Sequence, residues 1–274
     1  MKNGQKLLGM VREYYRKEYS GVQDVDKKPK LAEDIISRDR AKEQLAQIER
    51  KFKVKGKTLE VGSGFGTFLA LLTERGIDAH GTEPEDIAMK ATLMQNKKCR
   101  VVKGVGEKLP FGDGIFDFVF SFQVLEHTQN PEKVLDESLR VLKREGILYF
   151  VIPNYNSFWE GHYGIFWLPR FPRPLAKFYL KLKGKDPKFL DSIQYITPQR
   201  LEKHLKEKDV EILSMGKEEW KERITKTRLS GWSHTGKATG KLMFLRKAGL
   251  AGIVASISNT FNWHYPIVLV LRKK

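Results

Sequence analysis

The chain has 274 residues, 41% of them apolar and 30% charged, which is enough to build a core and too apolar for a disordered segment. Its one cysteine, Cys99, excludes an internal disulfide and a thiolate zinc site and fits a reducing compartment, so a cytoplasmic location is expected. Fifty Lys and Arg against 33 Asp and Glu give a net charge of +17, which favours acidic partners: nucleic acid, lipid headgroups or an anionic substrate.

The excess charge is unevenly spread. Residues 57–153 hold 12 basic and 14 acidic groups, whereas residues 216–274 hold 12 and 3, so a near-neutral body carries basic additions. No apolar run follows the charged stretch Met1 to Lys6, and no secretory signal is expected. The uncharged stretch from Ala248 to Leu271 contains Asn259, Asn262, His264 and Pro266, each of which would need a partner inside lipid, which argues against a membrane span.

In chain order, residues 1–56 read as a helical extension whose Tyr14, Tyr15 and Tyr19 stand beside Arg12, Arg16 and Lys17, a composition suited to a lid. From 57 to 153 short apolar runs alternate with amphipathic stretches, the mark of β-α units on a parallel sheet. Strands are expected at Thr58 to Val61, Ile77 to Thr82, Arg100 to Lys103, Phe116 to Phe122 and Ile147 to Ile152. Asn130 and Pro131 open a helix with Val134, Leu135, Leu139, Val141 and Leu142 on its buried face, and Gly146 releases the chain. Thr197 and Pro198 open another helix with Leu201 and Leu205, followed by strands at Val210 to Leu213 and Ile267 to Leu271.

The sharpest local signal is "TLEVGSGFGTFLALL", in which a strand ends at Gly62, Gly64 and Gly66 and a helix begins. Such a turn brings backbone close to a ligand at a helix amino terminus. A dinucleotide fingerprint would need glycine where Thr67 stands, so the spacing argues against NAD. Glu83, at the end of the second strand in "HGTEP", can accept both hydroxyls of a ribose at the carboxyl edge of the sheet. A bare helix-capping charge is its plainer reading.

The motifs "LEVGSGFG", "GTEP", "GEKLPFGDGIFDFVF", "VLEHTQNPEKVLDESLRVLKREGILYFVIPN" and "YITPQRLEKHL" resemble, in order, those of class I S-adenosylmethionine-dependent methyltransferases, especially the small-molecule, quinone-biosynthesis-like (type 11) subgroup. The resemblance implies an α/β, Rossmann-like doubly wound sheet of seven strands in the order 3-2-1-4-5-7-6. It divides the chain into an extension or lid (1–56) and a methyltransferase domain (57–274) with a substrate lid inserted at 154–195 and a basic insertion at 216–262. Carried over by position, Glu60, Gly62, Ser63, Gly64 and Gly66 would hold the methionine portion of S-adenosyl-L-methionine. Glu83 would hold the ribose, Pro84 and Leu109 the adenine faces, Gly106 with Glu107 its edge, and Gln123 would lie beside the sulfonium. Val105 stands where family members often have an aspartate for the adenine amino group, which leaves that contact to Glu107 or a backbone carbonyl.

Methyl transfer from an activated sulfonium needs alignment and exclusion of water more than side-chain chemistry. If the acceptor is a hydroxyl, His127 in "VLEHT" is the first candidate base and His162 the second, and no metal is expected. The insertion is rich in aromatic and basic residues, and Trp159, Tyr163, Phe166 and Trp167 are candidates to line an apolar acceptor site. Phe178, Tyr179 and Leu182 among Lys177, Lys181 and Lys183 suit an interfacial helix at anionic lipid, as do Lys241, Arg246 and Lys247 before "AGLAGIVASIS". The expected activity is O-methylation of a small molecule or lipid-linked intermediate. An RNA methyltransferase using the basic flanks is the first alternative, and a non-catalytic cofactor-binding module the second. The fourth strand lacks an Asp/Asn-Pro-Pro-aromatic signature, and Cys99 lies at the start of the third strand, away from the expected methyl position.

Overall fold

The computed structural model describes residues 2–22, 25–26, 28–226 and 238–274. Residues 227–237 of the basic insertion lie outside them. Seven strands form the central sheet: β1 (Lys57–Val61), β2 (Asp78–Glu83), β3 (Arg100–Lys103), β4 (Phe116–Phe122), β5 (Leu142–Ile152), β8 (Val210–Met215) and β9 (Ile267–Lys273). Their order is β3-β2-β1-β4-β5-β9-β8, the expected arrangement. The first five run parallel, and β9 enters antiparallel between β5 and β8, pairing Leu148 with Leu271 and Phe150 with Leu269.

The central strands read as apolar runs because both faces of the sheet are covered. On one face Leu59, Val61, Phe150 and Leu269 pack under α6 (Pro131–Val141) and α8 (Pro198–Leu205) through Val134, Leu135, Leu201 and Leu205. On the other, Phe118, Phe120 and Tyr149 meet α4 (Thr67–Glu74) through Phe68, Leu69 and Leu72. Helix α3 (Arg38–Glu49) joins that second core through fully buried Leu45 and Ile48. The amino-terminal extension, completed by α1 (Lys2–Glu18) and α2 (Pro29–Ile35), is therefore packed into the molecule rather than appended to it.

Local chemistry sets the helix starts. The Asn130 side chain accepts from the Lys133 amide at 3.0 Å, with Pro131 in the first turn. Thr197 accepts from the Arg200 amide, with Pro198 first. One boundary differs from expectation: Leu142 is strand, not helix, and Gly146 lies inside β5. Leu142 pairs with Phe116 and Ile147 with Phe118, so residues 143–146 bulge from the ladder, with Glu145 at φ 60°.

The insertion at 154–195 contains the short hairpin β6 (Trp159–Glu160) and β7 (Ile165–Phe166), followed by α7 (Arg173–Leu182). It has its own core of Tyr163, Trp167, Ala176, Leu180 and Leu190, to which Val22 of the extension contributes. Helices α9 (Lys217–Thr225), α10 (Ala238–Lys247) and α11 (Ala251–Thr260) precede the last strand, and Ala251 and Ala255 of α11 pack on Ile224 of α9. Helix α5 (Asp86–Gln95) follows β2 and lies against α1.

Candidate active site

The loop between β1 and α4 takes its shape from Gly62, Gly64 and Gly66, at φ 69°, 52° and 72°. A Cβ at Gly62 would come within 2.6 Å of Val124, so loop and post-β4 turn can meet only through a glycine. At Gly64 a Cβ would find nothing within 4 Å, which makes this the open side of the loop. Glu60 is buried, and burial drives its pKa well above the usual carboxylate range although it accepts from the Leu69 amide. Its Oε2 and the buried Ser63 Oγ have no hydrogen-bond partner.

Glu83 closes the opposite wall. Its Oε2 accepts from the Gly64 amide at 2.8 Å and its Oε1 from the Glu85 amide at 3.1 Å. Burial raises its pKa while the two amides oppose the shift. Each carboxylate oxygen keeps a further lone pair for a hydroxyl donor. The sheet thus places an acidic anchor and a glycine loop in direct contact.

The other expected cofactor positions surround this edge. Pro84 is exposed beside Glu83, and Gly106 is held by close packing, since a Cβ there would meet Val134 at 2.9 Å. Leu109 is buried in the core, its amide donating to Glu137 Oε2 at 2.9 Å. Glu107 Oε1 accepts from the amides of Gln129, at 2.8 Å, and Asn130, so this side chain also holds the loop before α6. Gln123 follows β4 at φ 56°, and its Oε1 accepts from Arg40 Nη2 at 3.4 Å.

The turn after Val124, residues Leu125–His127, brings Glu126 and His127 together with His162. The two candidate bases come together there: His127 Nε2 lies 3.2 Å from His162 Nε2. Glu126 is fully buried with no donor from another residue on either carboxylate oxygen, and burial pushes its pKa up to about 7 against the pull of His162. Burial, with repulsion from His162, holds His127 well below the usual imidazole range. Burial would lower His162 as well, but the charge and hydrogen bond of Glu160, at 2.8 Å from Nδ1, outweigh it and hold this histidine up. Glu160 is in turn fixed by Tyr155 Oη at 3.0 Å and the Tyr163 amide at 2.6 Å.

The extension covers both halves of the site. Tyr14 of α1 packs edge-on against Phe65 of the glycine loop, and Tyr19 edge-on against His127, at centroid distances of 5.5 and 6.0 Å. The four aromatic residues expected at an acceptor site do not share one wall. Trp167 and Tyr163 are buried in the core of the insertion, Tyr163 donating to the Asp186 carbonyl. Phe166 is 56% exposed and stacks on Phe158, while Trp159 is half-buried in the hairpin. Three residues absent from the sequence reading contact the candidate site residues: Glu126, Glu160 and Arg40. For Glu126 the signal was present, since it precedes His127 in a motif already singled out.

A family model described as a methyltransferase domain matches residues 59–150. An uncharacterized methyltransferase of Mycobacterium sp. (strain KMS) is 36% identical over 106 residues, 39% of this chain and 40% of that protein. An uncharacterized protein of Methanocaldococcus jannaschii is 32% identical over 143 residues, 52% of this chain and 61% of that one. The chain thus spans about two fifths to three fifths of the length of these relatives. Among solved structures, an S-adenosylmethionine dependent methyltransferase from Mesorhizobium loti superposes with a TM-score of 0.56 at 14% identity, over 86% of this chain and 100% of that one, a likeness of fold. Residues 59–150 thus match a methyltransferase domain, and the sheet order, glycine loop and acidic anchor around them are those the resemblance to class I S-adenosylmethionine-dependent methyltransferases implies.

Proposed function

We propose that the protein transfers a methyl group from S-adenosylmethionine to an oxygen of an apolar, lipid-linked acceptor. The observation that supports this reading is the close approach of Val124 to Gly62, which packs the turn carrying His127, and with it the partly buried His127–His162 pair, against the glycine loop. The residues fit the cofactor: the unpartnered Glu60 and Ser63 oxygens and the open side of Gly64 suit a methionine moiety, and Glu83 suits ribose hydroxyls. When bound, the cofactor supplies an electrophilic methyl group on a positively charged sulfur.

The protein then has three tasks. Tyr14 of α1 and Tyr19 just after it exclude water by covering Phe65 and His127. The glycine loop and Glu83 fix the donor. His127, kept neutral by burial, is the candidate base for an acceptor hydroxyl, while Glu160 holds the adjacent His162 in place.

The surface supports a lipid-linked acceptor. Leu175, Phe178 and Leu182 line one exposed face of α7, among Lys177, Lys181 and Lys183. Tyr179 Oη donates to the Phe166 carbonyl, and Phe166, Phe158, Trp263 and Phe261 then form a chain of ring contacts to α11. There Leu250, Ile253, Ile257 and Phe261 are exposed at helical spacing. Exposed apolar side chains on α7 and α11, with lysines among those of α7, fit the interface of an anionic bilayer. Among the described residues no helix is long and apolar enough to cross a membrane.

The test is to incubate the protein with isotopically labelled S-adenosylmethionine and separate lipid, aqueous and RNA fractions of an extract. The expected result is an acid- and base-stable methyl ether in the lipid fraction. Label confined to RNA would overturn the acceptor assignment, and absence of cofactor binding by calorimetry would overturn the activity.

A further inference from the structure

Three nitrogen and oxygen atoms at the end of β4 converge on one point. His127 Nε2 and His162 Nε2 are 3.2 Å apart, and Glu126 Oε1 lies 3.7 Å from the first and 3.8 Å from the second. A triangle with those sides has its centre about 2.1 Å from every corner, the bond length of zinc to imidazole nitrogen or carboxylate oxygen. Tetrahedral bonds of that length put neighbouring ligand atoms about 3.4 Å apart, close to the separations found.

We infer that Glu126, His127 and His162 form a binding site for one divalent transition-metal ion, with zinc as the best-matched probe. Two independent observations support it. The Glu126 carboxylate is fully buried, and neither oxygen has a donor from another residue, an arrangement that is costly unless a cation compensates it. His162 is also set up as a ligand: Glu160 binds its Nδ1 at 2.8 Å and is itself anchored by Tyr155 and Tyr163, which leaves Nε2 directed at the shared point. The single cysteine, which excludes a thiolate site, does not bear on this imidazole and carboxylate set.

Three protein ligands leave a fourth position open, as in catalytic rather than structural zinc sites. Resting on the methyl-transfer reading, that position is where an acceptor hydroxyl would bind. The ion lowers the pKa of the bound hydroxyl, its proton passes to solvent, and the resulting oxygen anion forms a bond to the methyl carbon as the carbon–sulfur bond breaks. Sulfur keeps the electron pair and leaves as the neutral thioether. With both Nε2 lone pairs occupied, activation of the acceptor passes from imidazole to metal.

The purified full chain, stripped with chelator and dialysed against zinc, should retain about one ion per chain by mass spectrometry. Glu126→Gln and His162→Ala should lose it, and Glu160→Gln should bind zinc about 10- to 100-fold more weakly through loss of the support behind His162. S-Adenosylmethionine affinity, measured on the same samples, shows whether each variant is folded and separates failure of this site from failure of the methyltransferase reading. If a variant does not fold, cobalt replaces zinc in the unaltered chain. Intense visible bands of a four-coordinate ion are expected, and the pale spectrum of aqueous cobalt would refute the site. Retention of zinc by folded Glu126→Gln and His162→Ala would refute it equally.

Discussion

Glu83 receives two backbone amides, one from the glycine loop itself, so it both faces the ligand and sets the loop. Glu83→Ala should weaken S-adenosylmethionine binding by about 1–3 kcal/mol, roughly 5- to 150-fold, read by calorimetry. An unchanged affinity would remove Glu83 from the site. His127→Ala should slow turnover about a hundredfold with little change in cofactor affinity, because the imidazole acts on the acceptor side. Parallel loss of both would instead mean that the turn merely props the glycine loop. At this scale the glycines and Glu83 were legible because their requirement is local: a left-handed backbone and a carboxylate at a strand end. Glu160 and Arg40 were not. Their importance arises from contacts to His162 and Gln123 across folded segments, and a carboxylate destined for burial looks the same in sequence as one in water. Aromatic composition was also ambiguous for Trp167, because a lid needs a core of its own before it can form a wall.

Among the elements, α6 begins on a side-chain cap, and Asn130→Ala should cost about 1 kcal/mol in chemical denaturation. The entry to β9 provides a pH dependence. His264 is buried, with Nε2 against the Met215 carbonyl at 2.8 Å and Nδ1 without a partner, and burial lowers its pKa to about 4. The folded chain therefore binds fewer protons here than the unfolded one, whose histidine titrates near the usual 6.5. This contribution to stability is full above pH ~6.5 and is lost as pH falls toward 4, on the order of 3 kcal/mol in total. His264→Gln should flatten that part of the stability profile; an unaltered slope would assign it to other groups. The strands themselves were legible because burial on both faces leaves apolar runs. The backward extension of β5 to Leu142 was not, since helical periodicity runs on through Leu142 and "KREG" offers no strand pattern.

For the whole molecule, the distribution of charge matters more than its total. The +17 excess is concentrated outside the near-neutral sheet, and the exposed apolar side chains of α7 and α11 lie in two of those basic segments. Phe178→Glu with Leu182→Glu should abolish flotation with vesicles containing phosphatidylglycerol while leaving the melting temperature within a few degrees, since both side chains are more than 60% exposed. Binding that survives the double substitution would place the lipid contact elsewhere. Raised salt should weaken the unaltered protein's vesicle binding only in part, because burial of the aromatic side chains is not screened.

Helix α1 touches the glycine loop with Tyr14, and Tyr19, just beyond its end, touches the histidine turn. If the proposed donor binds beneath this cover, the spent nucleoside can leave, and fresh donor enter, only when the cover lifts. Turnover at saturation should then slow as solvent viscosity is raised, and removal of the first 22 residues should trade tight retention of the nucleoside for rapid exchange and leakage of water into the reaction.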